Sequence, residues 1–175
     1  RRFILDAVHS GARVIDLGGG TGFGSQIAAG RARSVLLVDS DPRSVSIARS
    51  VCPANVEVRE GDAFAELSHA AEPFDVALLL HFLEHVDDPR AFLAKLRPKC
   101  RRIVVEVPDF RSDPLNQLRL AEGLPCYSDA DHVSEFSSAR IHDCLVSSGW
   151  TVIRMMNTDG VILAIAEHVG SGTVQ

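Results

Sequence analysis

Three stretches of the 175-residue chain carry residue types at spacings that can do chemistry. The first is Asp16-Leu17-Gly18-Gly19-Gly20-Thr21-Gly22, with glycines at alternate positions behind a short apolar run, Val14 to Leu17. Glycine adopts positive φ and lets a ligand approach the backbone closely, so this is a turn suited to gripping a ligand. A helix over Phe23 to Ala29 would aim its first N–H groups into the same turn. The second stretch is His81-Phe82-Leu83-Glu84-His85-Val86-Asp87-Asp88-Pro89, and the third is Asp131-His132-Val133-Ser134-Glu135-Phe136-Ser137. Both put imidazoles beside carboxylates, the groups that hold and move protons near neutral pH.

The apolar pattern says what positions these residues. Strands are predicted at Val14–Leu17, Ser34–Val38, Asn55–Arg59, Phe74–Leu80 and Arg102–Val107, each a strand-length apolar or β-branched run. Helical spacing falls between them: Arg2 to His9, Phe23 to Ala29, a helix through Val51 capped by Asp41 with Pro42 at N1, a helix through His69, and Asp88 to Leu96. Alternating strands and helices imply a parallel α/β sheet with helices on both faces, its ligands lying beyond the carboxyl ends of the strands. Residues 110–135 break the pattern and sit beyond such an end, where a substrate lid would be built. A helix from Ser138 to Ser148 follows, then two strands, Thr151–Asn157 and Val161–Glu167. They are joined through Thr158-Asp159-Gly160, and Asp-Gly between apolar runs is a hairpin signal. The expected result is one domain over residues 1–175: a Rossmann-like seven-stranded, mostly parallel sheet with a C-terminal antiparallel hairpin and a flexible tail from His168.

The glycine spacing discriminates between nucleotides. No register gives G-x-G-x-x-G, because the sixth position counted from Gly18 is Phe23 and from Gly20 is Ser25. What stands there is D-x-G-x-G-x-G, which resembles motif I of the class I S-adenosylmethionine-dependent methyltransferases. An acid in the turn suits the ammonium and sulfonium of that cofactor and would repel a pyrophosphate. Leu83-Glu84-His85-Val86-Asp87-Asp88-Pro89 is similar to the family's "L-E-H-V-x-D-P" form of motif IV. Asp131 to Ser137, with Gly149-Trp150 beyond it, is similar to a "D-H-x-x-x-F-S" segment and "G-W" step of the same branch. The resemblance covers almost the whole chain. It implies S-adenosylmethionine as cofactor and S-adenosylhomocysteine as product, bound by Asp16, Gly18, Gly19, Gly20, Gly22, Asp39, Ser40, Asp62, Ala63, Phe64 and His81.

Several of these residues have a plainer reading. Asp39 stands 21 positions after Gly18, where a doubly wound fold puts the carboxylate that accepts from ribose hydroxyls, or it is a turn acid at a strand end. Asp62 and Ala63 match an adenine-contacting segment, while Asp62 also suits a helix cap, and both roles can coexist. On the acceptor side His132 leads as a base, with His85 and Glu84 beside it. His132 could equally be hydrogen-bonded inside the lid, and His85 could be a core histidine pinning its turn. Glu84, His85 and His132 could in principle bind a metal, but without C-x-x-C or H-x-x-x-H on one element none is expected.

Composition narrows the partners. A net charge of −5 and no basic face argue against nucleic acid. No apolar run reaches membrane-spanning length. Four cysteines without a C-x-x-C pair read as reduced thiols of a cytoplasmic protein. No signal peptide is visible, and the chain begins at Arg1 rather than Met, which leaves its natural N-terminus open. The expectation is a monomer or homodimer that methylates an oxygen or nitrogen of a small molecule by in-line displacement, with a histidine as base. The absence of an Asn-Pro-Pro-Tyr-type clamp disfavours amide nitrogens. Two alternatives stand beside it: a non-catalytic cofactor- or partner-binding module on the same fold, and a nicotinamide-dependent oxidoreductase, which the glycine spacing and the terminal hairpin oppose.

Overall fold

The computed structural model describes residues 1–126, 128–158 and 160–168. Along the chain it runs α1 (Arg2–Ala7), β1 (Arg13–Leu17), α2 (Phe23–Ala29), β2 (Ser34–Asp39), α3 (Pro42–Val51), β3 (Val56–Glu60), α4 (Ala63–His69) and β4 (Phe74–Leu80). It continues with α5 (Pro89–Leu96), β5 (Cys100–Pro108), α6 (Pro114–Ala121), α7 (Ser138–Ser147), β6 (Thr151–Thr158) and β7 (Val161–Glu167). Short 3₁₀ turns occupy Leu83–His85 and Arg97–Lys99. The seven strands form one sheet in the order β3-β2-β1-β4-β5-β7-β6. Strands β1 to β5 pair in parallel, and β7 runs antiparallel to both β5 and β6. The expected sheet with a terminal antiparallel hairpin is therefore what forms, and strand order reverses between β1 and β4, which opens a crevice at their carboxyl ends.

The apolar runs explain the layering. In β4 the residues from Val76 to Leu79 are buried, as a central strand covered on both faces should be. One face carries Phe92, Leu93 and Leu96 of α5, Ile141 and Leu145 of α7, and Trp150. The other carries Phe3, Ile4 and Ala7 of α1 and Ala28 of α2. Trp150 is 2% exposed, and its indole N–H donates to the Leu93 carbonyl at 3.0 Å, which locks α5 to the start of β6. Strand β3 lies at the sheet edge and is the least buried of the parallel set.

The predicted helix starts hold because their caps do. Asp41 accepts from the amides of Arg43 and Ser44, Asp62 from Ala65, Asp88 from Ala91 and Ser137 from Arg140. The boundaries move by one or two residues. Helix α1 ends at Ala7, α7 at Ser147, and β5 extends to Cys100 and Pro108 because β4 and β7 supply ladder partners at both ends. Among the described residues of the stretch 110–135 there is one helix, α6, which Asp113 caps by accepting from Asn116 N at 3.0 Å. Its leucines face outward, Leu118 being 67% exposed. Asp159, in the expected hairpin turn, and the tail beyond His168 lie outside the described residues.

Candidate active site

The glycine turn takes its shape from backbone geometry. Gly18, Gly20 and Gly22 all have positive φ, at 67°, 53° and 91°. A Cβ on Gly18 would come within 2.8 Å of the Phe82 ring, so this glycine lets the turn lie against the segment after β4. The Gly20 amide donates to Asp39 Oδ2 at 2.8 Å, and the Asp41 amide donates to Oδ1, also at 2.8 Å. Asp39 is thus held between two loops by main-chain donors. Each carboxylate oxygen keeps a second lone pair for a vicinal diol.

A cleft of about 620 Å³ opens at the carboxyl ends of β1, β2 and β4. Of the sequence-predicted residues, Gly18, Asp39, Ser40, Asp62, Ala63, Phe64, His81 and His85 line it. The Phe64, Phe82 and Phe92 rings pack together beside it, with centroids 4.9 Å (Phe64–Phe92) and 5.2 Å (Phe82–Phe92) apart. Asp62 caps α4 through Oδ1 while lining the cleft, so its two readings do coexist.

Four predicted residues act behind that surface. Asp16 is 1% exposed; its Oδ2 accepts from Ser25 Oγ at 2.7 Å, and burial pushes its pKa up to about 6. Side-chain atoms of Gly19 and Gly22 would collide with Leu37 and Cys52 at 2.5 Å, so these glycines permit close packing under the turn. Gly20 reaches the site through its amide on Asp39.

His81 lines the cleft, in a state the sequence did not announce. It is the sole non-glycine residue with positive φ among those described, at 52°. Its Nε2 lies 3.0 Å from Glu106 Oε1 and its Nδ1 lies 3.3 Å from Glu84 Oε1. Glu106 first, then Glu84, raise its pKa to about 10, so it is an imidazolium at neutral pH and cannot serve as a base. Glu106 went unremarked in the sequence, although an acid near the end of an apolar strand was its signal.

Beyond His81 the chain turns through Leu83–His85. His85 Nδ1 lies 3.2 Å from the Asp131 carbonyl, which can only accept; this makes Nδ1–H the donor, so the neutral tautomer that fits carries its lone pair on Nε2. His132 packs edge-on to His85, with ring centroids 5.1 Å apart. It lines a second cavity, of about 270 Å³, with Phe110, Leu115, Ser128 and Glu135. Glu84 is 1% exposed and lies between the two imidazoles and His81. Its carbonyl accepts from the Val133 and Ser134 amides at 2.9 and 3.0 Å, which ties the segment before α7 to the turn after β4. Glu84, His85 and His132, named together from sequence, therefore meet, though they come from segments more than forty positions apart.

Known proteins resemble this chain in sequence and fold. The methyltransferase domain family matches residues 1–155. Demethylmenaquinone methyltransferase of Paenarthrobacter aurescens is 27% identical, over 94% of this chain and 73% of its own length. Ubiquinone biosynthesis O-methyltransferase of Azorhizobium caulinodans is 36% identical over 49% of this chain, a match that spans 34% of that relative. The structure of magnesium protoporphyrin IX methyltransferase from Synechocystis PCC 6803, solved with bound S-adenosylhomocysteine, superposes with a TM-score of 0.72 at 19% identity, over 96% of this chain and 79% of that one. The chain belongs to the methyltransferase domain family, in its class I S-adenosylmethionine-dependent form.

Proposed function

We propose that the protein transfers the methyl group of S-adenosylmethionine to an oxygen or nitrogen of a small-molecule acceptor. The observation that carries this reading is Asp39, a carboxylate held by two amides at the rim of a cleft that also meets the glycine turn and the His81–His85 segment. In this arrangement the ribose diol bonds Asp39, the adenine lies along Asp62, Ala63 and Phe64, and the methionyl carboxylate faces the His81 cation. Asp16 contributes from below, by fixing Ser25 and the start of α2.

Methyl transfer from a sulfonium is an in-line displacement, so the protein's main task is to hold the acceptor atom behind the methyl carbon and keep water out. The acceptor's proton goes to the Glu84–His85–His132 cluster, where His85 Nε2 offers a lone pair on the cleft wall. The demethylmenaquinone and ubiquinone names of the relatives make a quinone-type ring a suitable acceptor class. Phe110 and Leu115 around the second cavity give such a ring apolar contact. The four cysteines are free, which suits a cytoplasmic protein, and no helix among the described residues is long and apolar enough to cross a membrane. A monomer or homodimer serves this chemistry, since every proposed contact lies within one chain.

Calorimetric titration with S-adenosylhomocysteine, on the wild type and on Asp39→Ala, tests the reading. The expected result is micromolar binding that the substitution weakens at least tenfold, with NAD silent in both. A folded wild type that binds NAD, or binds neither, refutes it.

A further inference from the structure

We propose that Glu84, His85 and His132 form a binding site for a divalent transition-metal ion at the acceptor end of the cleft. One donor atom from each lies within 4.8 Å of the other two. Metal–nitrogen and metal–oxygen bonds of about 2.0–2.2 Å put adjacent ligands roughly 3 Å apart, so the side chains need close by only about an ångström or two. The expectation of no metal rested on spacing along a single element. The fold answers it by supplying the third donor from the lid, which the Val133 and Ser134 amides hold against Glu84.

An independent observation points to a cation. Glu84 is 1% exposed, and neither of its carboxylate oxygens makes a hydrogen bond. His81 stands 3.3 Å from Oε1 as an ion pair and leaves Oε2 without even that. A buried carboxylate oxygen without a donor is costly, and a metal ion satisfies it. The imidazoles are prepared in the same sense. With Nδ1 directed at the Asp131 carbonyl, His85 presents a Nε2 lone pair, the outer-shell arrangement that orients a ligating histidine. His132 Nδ1 has Ser128 Oγ at 3.5 Å and Glu135 Oε1 at 3.8 Å, and its Nε2 has Asp129 Oδ2 at 3.8 Å. Glu106, Asp129, Asp131 and Glu135 surround the group, against the single His81 cation, so the local charge favours a positive guest.

Two imidazoles and one carboxylate suit Zn²⁺, Co²⁺ or Fe²⁺ and suit Mg²⁺ poorly, since Mg²⁺ prefers oxygen and keeps its waters. Three protein ligands leave positions open, and a hydroxyl-bearing acceptor would take one. This role rests on the methyl-transfer reading; ion binding itself does not. On the ion the acceptor hydroxyl loses its proton to water at neutral pH. Its oxygen then bonds the methyl carbon as the carbon–sulfur bond breaks, with S-adenosylhomocysteine leaving. With the ion bound, the His85 lone pair holds metal instead of accepting the proton.

The test is Co²⁺ titration of chelator-stripped protein, read by visible absorption, with Zn²⁺ and Mg²⁺ as competitors and S-adenosylhomocysteine binding measured in the same samples. The expected result is one Co²⁺ per chain with d–d bands of a nitrogen–oxygen site, displaced by Zn²⁺ and not by Mg²⁺. Binding should fall by about 100-fold or more in Glu84→Gln and in His132→Ala. Far-UV circular dichroism and urea unfolding should stay close to wild type in both variants, which shows them folded. A folded wild type with no Co²⁺ bands overturns the proposal, as does binding that survives both substitutions. A cobalt–thiolate charge-transfer band overturns it too, because the ion would then sit on the free cysteines. Co²⁺ binding without S-adenosylhomocysteine binding keeps the metal site and refutes the cofactor reading instead.

Discussion

Replacing Asp16 by Asn should change how stability depends on pH. Asp16 is buried beneath the glycine turn, accepting from Ser25 and with no donor to Oδ1. Desolvation therefore dominates, and the folded pKa rises from 3.8 to about 6. The sign follows from proton counting. Between those values the native state holds the proton and the unfolded chain releases it, so stability falls as pH rises through that window and levels off above it. A shift of about two units corresponds to roughly 3 kcal/mol lost between pH 3.5 and 7. In the Asn variant this contribution vanishes. An unsatisfied amide N–H in place of Oδ1 costs about 1–3 kcal/mol at every pH, which offsets the gain without altering the slope. Urea unfolding of both proteins at half-unit steps of pH isolates the effect, because every other titrating group cancels in the difference. The curves should diverge by about 3 kcal/mol over the window, the wild type falling relative to the variant. Parallel curves would mean that Asp16 is solvated or has a donor, and would refute the account of the turn.

Other perturbations probe different parts of the frame. Gly18→Ala adds a Cβ within 2.8 Å of the Phe82 ring at a φ of 67°, and should weaken S-adenosylhomocysteine binding at least tenfold in calorimetry while far-UV circular dichroism stays native. Trp150→Ala empties a site that is 2% exposed and orphans the Leu93 carbonyl, so urea unfolding should show a loss of about 3–5 kcal/mol. Trp150→Phe keeps most of that packing and should recover all but about 1–2 kcal/mol. Leu118→Ser, on a side chain that is 67% exposed, should shift stability by no more than about 0.5 kcal/mol in the same measurement.

What could be read in the sequence followed from local rules. Glycine spacing, Asp41-Pro42, Asp88-Pro89 and the alternation of apolar runs depend on near neighbours, so they gave strands, caps and the hairpin with errors of a residue or two at the ends. Cleft residues such as Asp39, Asp62 and Phe64 were legible because the carboxyl end of each parallel strand faces the same crevice. Protonation was not legible. The charge on His81 depends on Glu106, which arrives through the pairing of β4 with β5, and no spacing near His81 announces it. Asp16 had the opposite problem. Its place in the turn was evident, but which way its side chain turned was settled by packing against α2, which directs it to Ser25 rather than into the cleft. Within the stretch that breaks the apolar pattern, α6 leaves Leu115, Leu118 and Leu120 exposed and is held by Asp113, Asn116 and the Phe110 carbonyl, contacts that no apolar periodicity announces.

Glu84 links two histidines four residues apart to different surroundings. Its carboxylate, with Glu106, keeps His81 charged, which makes that ring a fixed cation on the cleft wall. Its carbonyl accepts from Val133 and Ser134, which brings His132 against His85 on the acceptor side. One residue thus sets a charge through its side chain and a distance through its backbone. Substitution can change only the first directly. Glu84→Gln should lower the His81 pKa and remove a metal ligand while leaving the lid amides bonded to the same carbonyl. An acceptor pocket that keeps its shape but loses its electrostatics is the signature expected of that change, and it distinguishes a site organised on Glu84 from one that merely contains it.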